Sequence, residues 1–196
     1  MSRRIPLLST ERLMVRELSQ NDLEVIHRVL DAAFGSTTPL TERQRWLEWT
    51  VLGYDMFANL DQPHYGERAI VLRDSGELVG AVGVVPYVDS FDPADVVMGQ
   101  PEPLAAAEVG LYWAVAPEHQ GHGYAAEAAR AVIGHLFVHE RLGRIIATTE
   151  PDNTASQAVM RRLGMRLRHI TRARPPEQFV VGVLDNPERV SPRRSD

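Results

Sequence analysis

The chain contains no cysteine, which excludes a disulfide framework, a thiolate metal site and a cysteine nucleophile. It also lacks a long apolar run. The stretch Ile5 to Leu8 is broken by Pro6 and is too short for a secretion-signal core, and no segment approaches the ~20 apolar residues that cross a bilayer. Both absences lead us to expect a cytoplasmic protein with no membrane partner. Positive charge is in the minority: 21 Lys and Arg face 26 Asp and Glu, a net charge of -5. A broad basic face for nucleic acid is therefore not expected. A small anionic ligand is not excluded, because backbone N–H groups hold phosphate without lysine. Repeats and low-complexity segments are absent as well. What remains is a 196-residue chain, 44% apolar and 24% charged, the balance of one globular domain with a substantial core.

The pattern along the chain predicts a mixed order of elements. "ERLMVREL" alternates Leu13 and Val15 with Met14 and Arg16, a strand with one wet face. Asn21 to Phe34 has helical spacing. A second helix is expected from Thr41, where T-E-R-Q reads as a capping box, with Trp46, Trp49 and Leu52 facing a core. "RAIVLRD" and "ELVGAVGVVPY" form a hairpin around Ser75-Gly76, and Val88 to Leu104 is a long aperiodic connection. A strand "AEVGLYWAV", a helix ending at Gly143, a strand "RIIATTE" and a helix closed by Gly164 follow. A last strand pair flanks Pro175-Pro176, and a frayed polar tail is expected from Asn186. The sum is an α+β (mixed α/β) fold, antiparallel at the front, with a βαβ crossover near the middle.

The segment "HQGHGYAAEA" fits two phosphate-binding patterns at once. From Gly121 it reads G-x-G-x-x-A, the dinucleotide fingerprint; from Gln120 it reads Q-x-x-G-x-A, a pyrophosphate loop for acyl-CoA. In a dinucleotide fold the first glycine follows the strand directly. Here Ala116 to Gln120 intervene, and the nearest candidate ribose-binding acid, Glu150, lies too far along. The acyl-CoA pattern needs only a run of unpaired amides opening a helix, with glycines clearing Cβ atoms from the phosphate's approach.

Three blocks, "TERLMVRELSQND", "EVGLYWAVAPEHQGHGYAAEA" and "EPDNTASQAVMRRLGM", resemble in order and spacing the GNAT acetyltransferases, in the branch of the ribosomal-protein N-terminal acetyltransferases. The resemblance runs from about Thr10 to Asp185. It implies one acetyltransferase domain over residues 10–185 with a polar tail over 186–196, and a central, mostly antiparallel sheet with a splayed βαβ cleft for acetyl-CoA. It further implies that Gln120, Gly121, His122, Gly123, Tyr124 and Ala125 hold the diphosphate. Trp113, Ala114 and Val115 would form the bulge that admits the acyl arm, and Asn153 would contact that arm. Acetyl transfer to an amine requires a neutral nucleophile, whereas a lysine amine (pKa about 10.4) or an α-amino group (about 8) is largely protonated at neutral pH. Resemblance gives Glu108 the role of general base and Ser156 that of acid toward the leaving thiolate. The tyrosine that many members place four residues before the closing glycine is replaced here by Met160.

These readings imply an N-acetyltransferase in which the amine attacks acetyl-CoA directly in a ternary complex. The acceptor would be a small-molecule amine or a protein amino terminus, and a homodimer is compatible with the sequence. Two alternatives stay open at this level: an acyl-CoA-binding module without catalysis, and a nicotinamide-dependent oxidoreductase. His135 and His139 have helical ligand spacing but no evident third ligand, so no metal is expected.

Overall fold

The structure is a computed structural model and describes residues 4–62, 65–89, 106–173 and 176–190. In chain order the elements are β1 (Leu8–Ser9), β2 (Leu13–Glu17), α1 (Leu23–Phe34), α2 (Leu40–Asn59), β3 (Gly66–Leu72) and β4 (Leu78–Asp89). There follow β5 (Ala106–Val115), α3 (Tyr124–Val138), β6 (Arg144–Thr149), α4 (Thr154–Arg162), β7 (Arg166–Ala173), β8 (Pro176–Asp185) and α5 (Pro187–Val190). The strands hydrogen-bond in the order β1-β2-β3-β4-β5-β6-β8-β7. The chain forms two compact units, Met1–Val84 with Leu111–Leu142, and Val85–Gly110 with Gly143–Asp196.

In the first unit, β2 pairs antiparallel with β3, and β3 with β4. Leu13 and Val15 are fully buried, as alternation requires. Gly76, at φ +74, makes the β3–β4 turn, closed by the Gly76 N–H to the Leu72 carbonyl. Gly80 lets β4 approach β5 closely: a Cβ there would lie 2.4 Å from the Ala114 carbonyl oxygen. One core gathers Ile26, Val29 and Leu30 of α1, Leu47 of α2, Ala69 and Val71 of β3, Ala81 of β4, and Ala114 and Ala116 around the end of β5. Burying such aliphatic side chains contributes about 1.5 to 3 kcal/mol each for the larger ones.

The second unit joins β5 to β6 in parallel at one pair, Gly110 with Ile146, and continues antiparallel through β6–β8 and β7–β8. Its core includes Ile146, Phe179, Val181 and Val183. Gly182 is wedged over two methionines, since a Cβ would meet Met165 Sδ at 3.0 Å and Met160 Sδ at 3.1 Å.

Four expectations are corrected. First, α2 starts at Leu40 after Pro39, and Thr41 caps nothing: the amides of Glu42 and Arg43 bond the Pro39 carbonyl, while Gln44 reaches forward to Glu48. Second, the buried face of α2 is Leu47, Thr50 and Tyr54. Trp46 is half-buried, and Trp49 and Leu52 are 63% and 61% exposed. Third, α3 ends at Val138, five residues before Gly143, where the chain turns through Arg141 at φ +53. Fourth, the C-terminal stretch begins with structure: Asn186 is buried, its N–H bonds the Gly143 carbonyl, and its side chain accepts from the Glu188 amide. Of the predicted Val88 to Leu104 connection, Val88 and Asp89 belong to β4, and 90–104 lie outside the described residues, as do 191–196 of the tail.

Candidate active site

After β5 the chain makes a 3₁₀ turn at Pro117–His119 and enters the glycine loop. The Gln120 side chain donates to the Val115 carbonyl at 2.9 Å, closing the strand end, and the Gln120 amide bonds the Pro117 carbonyl at 3.2 Å. Gly121 and Gly123 sit at φ +79 and +85, a region that glycine enters without strain. The first intrahelical bond of α3 runs from the Glu127 amide to the Gly123 carbonyl. Among the described residues, the amides of Gly121, His122, Gly123, Tyr124, Ala125 and Ala126 meet no acceptor. Nothing lies within 4 Å of the position a Gly121 Cβ would take. A run of unpaired donors at the start of a 15-residue helix is suited to a phosphate-rich anion. The sequence placed the start of these donors at residue 120; in the structure the free run begins at Gly121.

A clamp that local sequence does not announce holds this loop. Glu127, in the first turn of α3, accepts from the Thr10 hydroxyl (2.5 Å), the Arg12 amide (3.0 Å), and Arg12 Nε and Nη2 (2.8 and 2.5 Å). Arg12 Nη1 also donates to the His122 carbonyl at 3.1 Å, and the guanidinium lies 4.9 Å from the Tyr124 ring centroid. His122 stacks on Tyr124 and directs its Nδ1 at the Gln120 carbonyl. Burial pushes the Glu127 carboxyl up, but the hydrogen bonds from Thr10 and Arg12 outweigh it and hold the group below its ordinary range.

Earlier on the same strand, Trp113 is half-buried, and Ala114 and Val115 are buried. Tyr112 stacks on Phe34 at 5.9 Å. In the second unit, Glu108 accepts from Arg144 Nε at 2.9 Å and from its Nη2, a two-pronged ion pair between β5 and β6. Asn153 caps α4, its side-chain oxygen accepting from the Ser156 amide at 2.9 Å. The Ser156 side chain is half-buried. Met160 is fully buried against Gly182, so no proton donor comes from that position. The His135 and His139 rings lie 4.8 Å apart, tilted by 33°. Among the described residues, no group of three metal-ligating side chains forms.

The sequence profile of the acetyltransferase (GNAT) domain matches residues 12–166. The chain belongs to the GNAT acetyltransferase family. It is 28% identical over 160 residues to the uncharacterized N-acetyltransferase YnaD of Bacillus subtilis (strain 168), spanning 81% of this chain and 82% of that protein. It is also similar to an acetyltransferase of Agrobacterium tumefaciens strain C58, at 26% identity, TM-score 0.64 and coverage of 92% and 94%. A 14% identical structure described as RimL, a ribosomal L7/L12 α-N-protein acetyltransferase in complex with coenzyme A, shares the fold with TM-score 0.65 and coverage of 92% and 98%. As a GNAT protein, the chain is an N-acetyltransferase with the mixed α/β fold that the sequence implied. Neither the silent binding module nor the oxidoreductase is favoured by these relatives. No helix among the described residues is long and apolar enough to cross a membrane.

Proposed function

We propose that this GNAT acetyltransferase takes acetyl-CoA as donor through the amides of Gly121 to Ala126, and acetylates a primary amine. The observation that carries the reading is the run of six unpartnered amides after a strand, with Gly121 and Gly123 at positive φ. Hydrogen bonds to charged groups contribute about 1.5 to 3 kcal/mol each, and the helix macrodipole adds ~0.3 to 1 kcal/mol. The loop can therefore hold a diphosphate without a lysine. Gln120 closes the strand end beneath the loop, and His122 and Tyr124 form its rim. Trp113 to Val115 receive the acyl arm, a role supported by their place at the end of the strand that leads into the loop. Asn153, besides capping α4, has a side-chain amide available for the pantetheine arm, and Ser156 supplies a proton to the leaving thiolate. Residues 10–185 act together as the acetyltransferase domain.

Glu108 is the candidate base implied by family resemblance. Its pairing with Arg144 weighs against that role, because both carboxylate oxygens are already engaged by the guanidinium. Glu108→Gln decides: a loss of turnover that higher pH restores supports the base, whereas lost stability with turnover intact supports an anchor between strands.

For the acceptor, the net charge of -5 favours a cation. The coenzyme A-bound fold neighbour is described as acting on a protein amino terminus, and we propose this class alongside small-molecule amines. The test is thioester consumption against a panel of amino-terminal peptides and small amines. Acetylation of at least one with a normal acetyl-CoA saturation curve supports the reading, and coenzyme A binding without turnover on any of them contradicts it.

A further inference from the structure

The row Glu67, Ala69, Val71 occupies one face of β3 by period-two alternation. Ala69 and Val71 lie in the core shared with α1 and α2, and so do Ala114 and the half-buried Tyr112 of β5. Glu67 thus continues an apolar row with a carboxylate. Glu67 is half-buried, and carboxylates withdrawn from water are ordinarily paired or hydrogen-bonded. Among the described residues, the Glu67 side chain has no ion pair and no bond from another side chain, and accepts only from its own backbone amide. Its backbone, by contrast, is pinned: the Tyr54 hydroxyl donates to the Glu67 carbonyl at 2.6 Å and accepts the Leu18 N–H at 2.9 Å. Opposite Glu67 in the ladder stands Gly83, which places no side chain beside it.

Among the described residues, three titratable or charged groups face Glu67. Arg43 of α2 is engaged elsewhere, donating to Asp31 at 3.0 Å and to Thr38 at 3.1 Å while lying over Trp46 at 5.2 Å. Tyr54 of α2 is committed as described. Tyr112 of β5, stacked on Phe34, has no hydrogen bond to its hydroxyl among the described residues. Burial pushes the Glu67 carboxyl up, only partly offset by a backbone hydrogen bond and Arg43, and burial pushes the Tyr112 hydroxyl up as well. A carboxylate that burial raises above its ordinary value, bonded only to its own backbone amide and set beside an aromatic pair, is poised to take up a cation or a proton.

We propose that Glu67 is a catalytic residue that binds the acceptor's ammonium group and removes its proton, with Tyr112 and Phe34 contacting the acceptor's apolar part. The inference rests on the N-acetyltransferase reading and narrows its acceptor to a monocationic primary amine, since Arg43 repels a second positive charge. One ammonium proton passes to the Glu67 carboxylate, and the freed nitrogen lone pair forms the N–C bond to the thioester carbonyl carbon. The C–S bond breaks, with its electron pair leaving on sulfur. The thiolate becomes the thiol with the proton that Ser156 supplies, the second nitrogen proton restores the Ser156 hydroxyl, and Glu67 returns the first to water.

The test is kcat/KM for the acceptor against pH in the wild type, Glu67→Gln, Glu67→Asp and Glu108→Gln, with acetyl-CoA affinity measured by calorimetry. Glu67→Gln is expected to lose about 100-fold or more in kcat/KM at neutral pH, to lose the acidic limb of the profile, and to bind acetyl-CoA as before. Glu67→Asp is expected to retain the limb. Glu67→Gln within about threefold of wild type, or with the limb intact, overturns the proposal, as does spermidine being acetylated faster than every monoamine. If Glu67→Gln does not fold, carbon-13 titration of the wild-type glutamate carboxyls decides. One glutamate titrating above the usual range, and changing when the acceptor binds, supports the proposal; all of them titrating normally overturns it. An active wild type with an equally active Glu67→Gln defeats this inference alone. A wild type that binds coenzyme A but acetylates no amine defeats the function reading and this inference together.

Discussion

Replacing Glu127 by alanine removes the carboxylate that ties the β1–β2 turn to the first turn of α3. Four hydrogen bonds end on it, from one hydroxyl, one backbone amide and two guanidinium nitrogens. Contacts to charged groups stabilise by about 1.5 to 3 kcal/mol each, and bonds that share one acceptor do not add in full. The guanidinium contribution is reduced further because the Arg12 side chain is 45% exposed and regains water when released. Glu127 itself is only 18% exposed, so the Thr10 and Arg12 backbone contacts keep most of their value. The expected loss is about 2 to 3 kcal/mol of unfolding free energy, read from urea transitions at pH 7. The sign of its pH dependence follows from the lowered carboxyl. Both states are ionised above the ordinary value of 4.5, so the full contribution is present there, and it disappears as pH falls below that value and through the folded pKa. Wild type and variant should therefore converge in acid. A loss under about 0.5 kcal/mol at pH 7, or a difference that does not shrink between pH 5 and pH 3, refutes the clamp.

Three further outcomes are expected. Gly121→Ala puts a side chain into open space at φ +79; it should cost about 1 to 2 kcal/mol of stability from backbone strain and weaken coenzyme A binding at least ~10-fold by calorimetry through one lost amide contact. Gly110→Ala would set a Cβ 2.3 Å from the Tyr87 ring, whose hydroxyl pairs with Thr148, and should lower the denaturation midpoint by an amount equivalent to about 1 to 3 kcal/mol. Tyr54→Phe leaves the Leu18 amide and the Glu67 carbonyl without their partner, costing about 2 to 4 kcal/mol in chemical denaturation. Because burial pushes the Tyr54 hydroxyl from 10.0 up to about 12, wild-type stability should fall as pH rises from 10 through 12, and the variant should show a smaller loss, the remainder coming from the buried Tyr112.

The parts of the fold that were legible are those written in local periodicity. Leu13 and Val15 alternate into the core, Ser75-Gly76 marks a hairpin, and Gly164 at φ +83 closes α4. The turn at Gly121 and Gly123 was legible because backbone at φ +79 and +85 favours glycine whatever surrounds it. What failed was decided by packing at a distance. The apolar residues of α2 have two candidate faces, and packing against α1 and β3 turns Leu47 and Tyr54 inward while Trp49 stays 63% exposed. The Arg12–Glu127 clamp joins residues 115 apart, and the Glu108–Arg144 pair joins residues 36 apart; neither leaves a mark in short-range spacing. Glu67 reads locally as an ordinary wet position on a strand, and its half-burial beside Arg43 of α2 and Tyr112 of β5 involves residues distant in sequence.

Backbone amide exchange and chemical-shift mapping of Gly121 to Ala126, with and without coenzyme A, test the central claim most directly. Binding should move and protect these six amides well beyond those of the solvent-facing turn at Asp74 to Glu77, and dephosphorylated pantetheine should leave them unchanged. Coenzyme A bound at saturation with the six amides unshifted and exchanging as in the free protein would contradict the account.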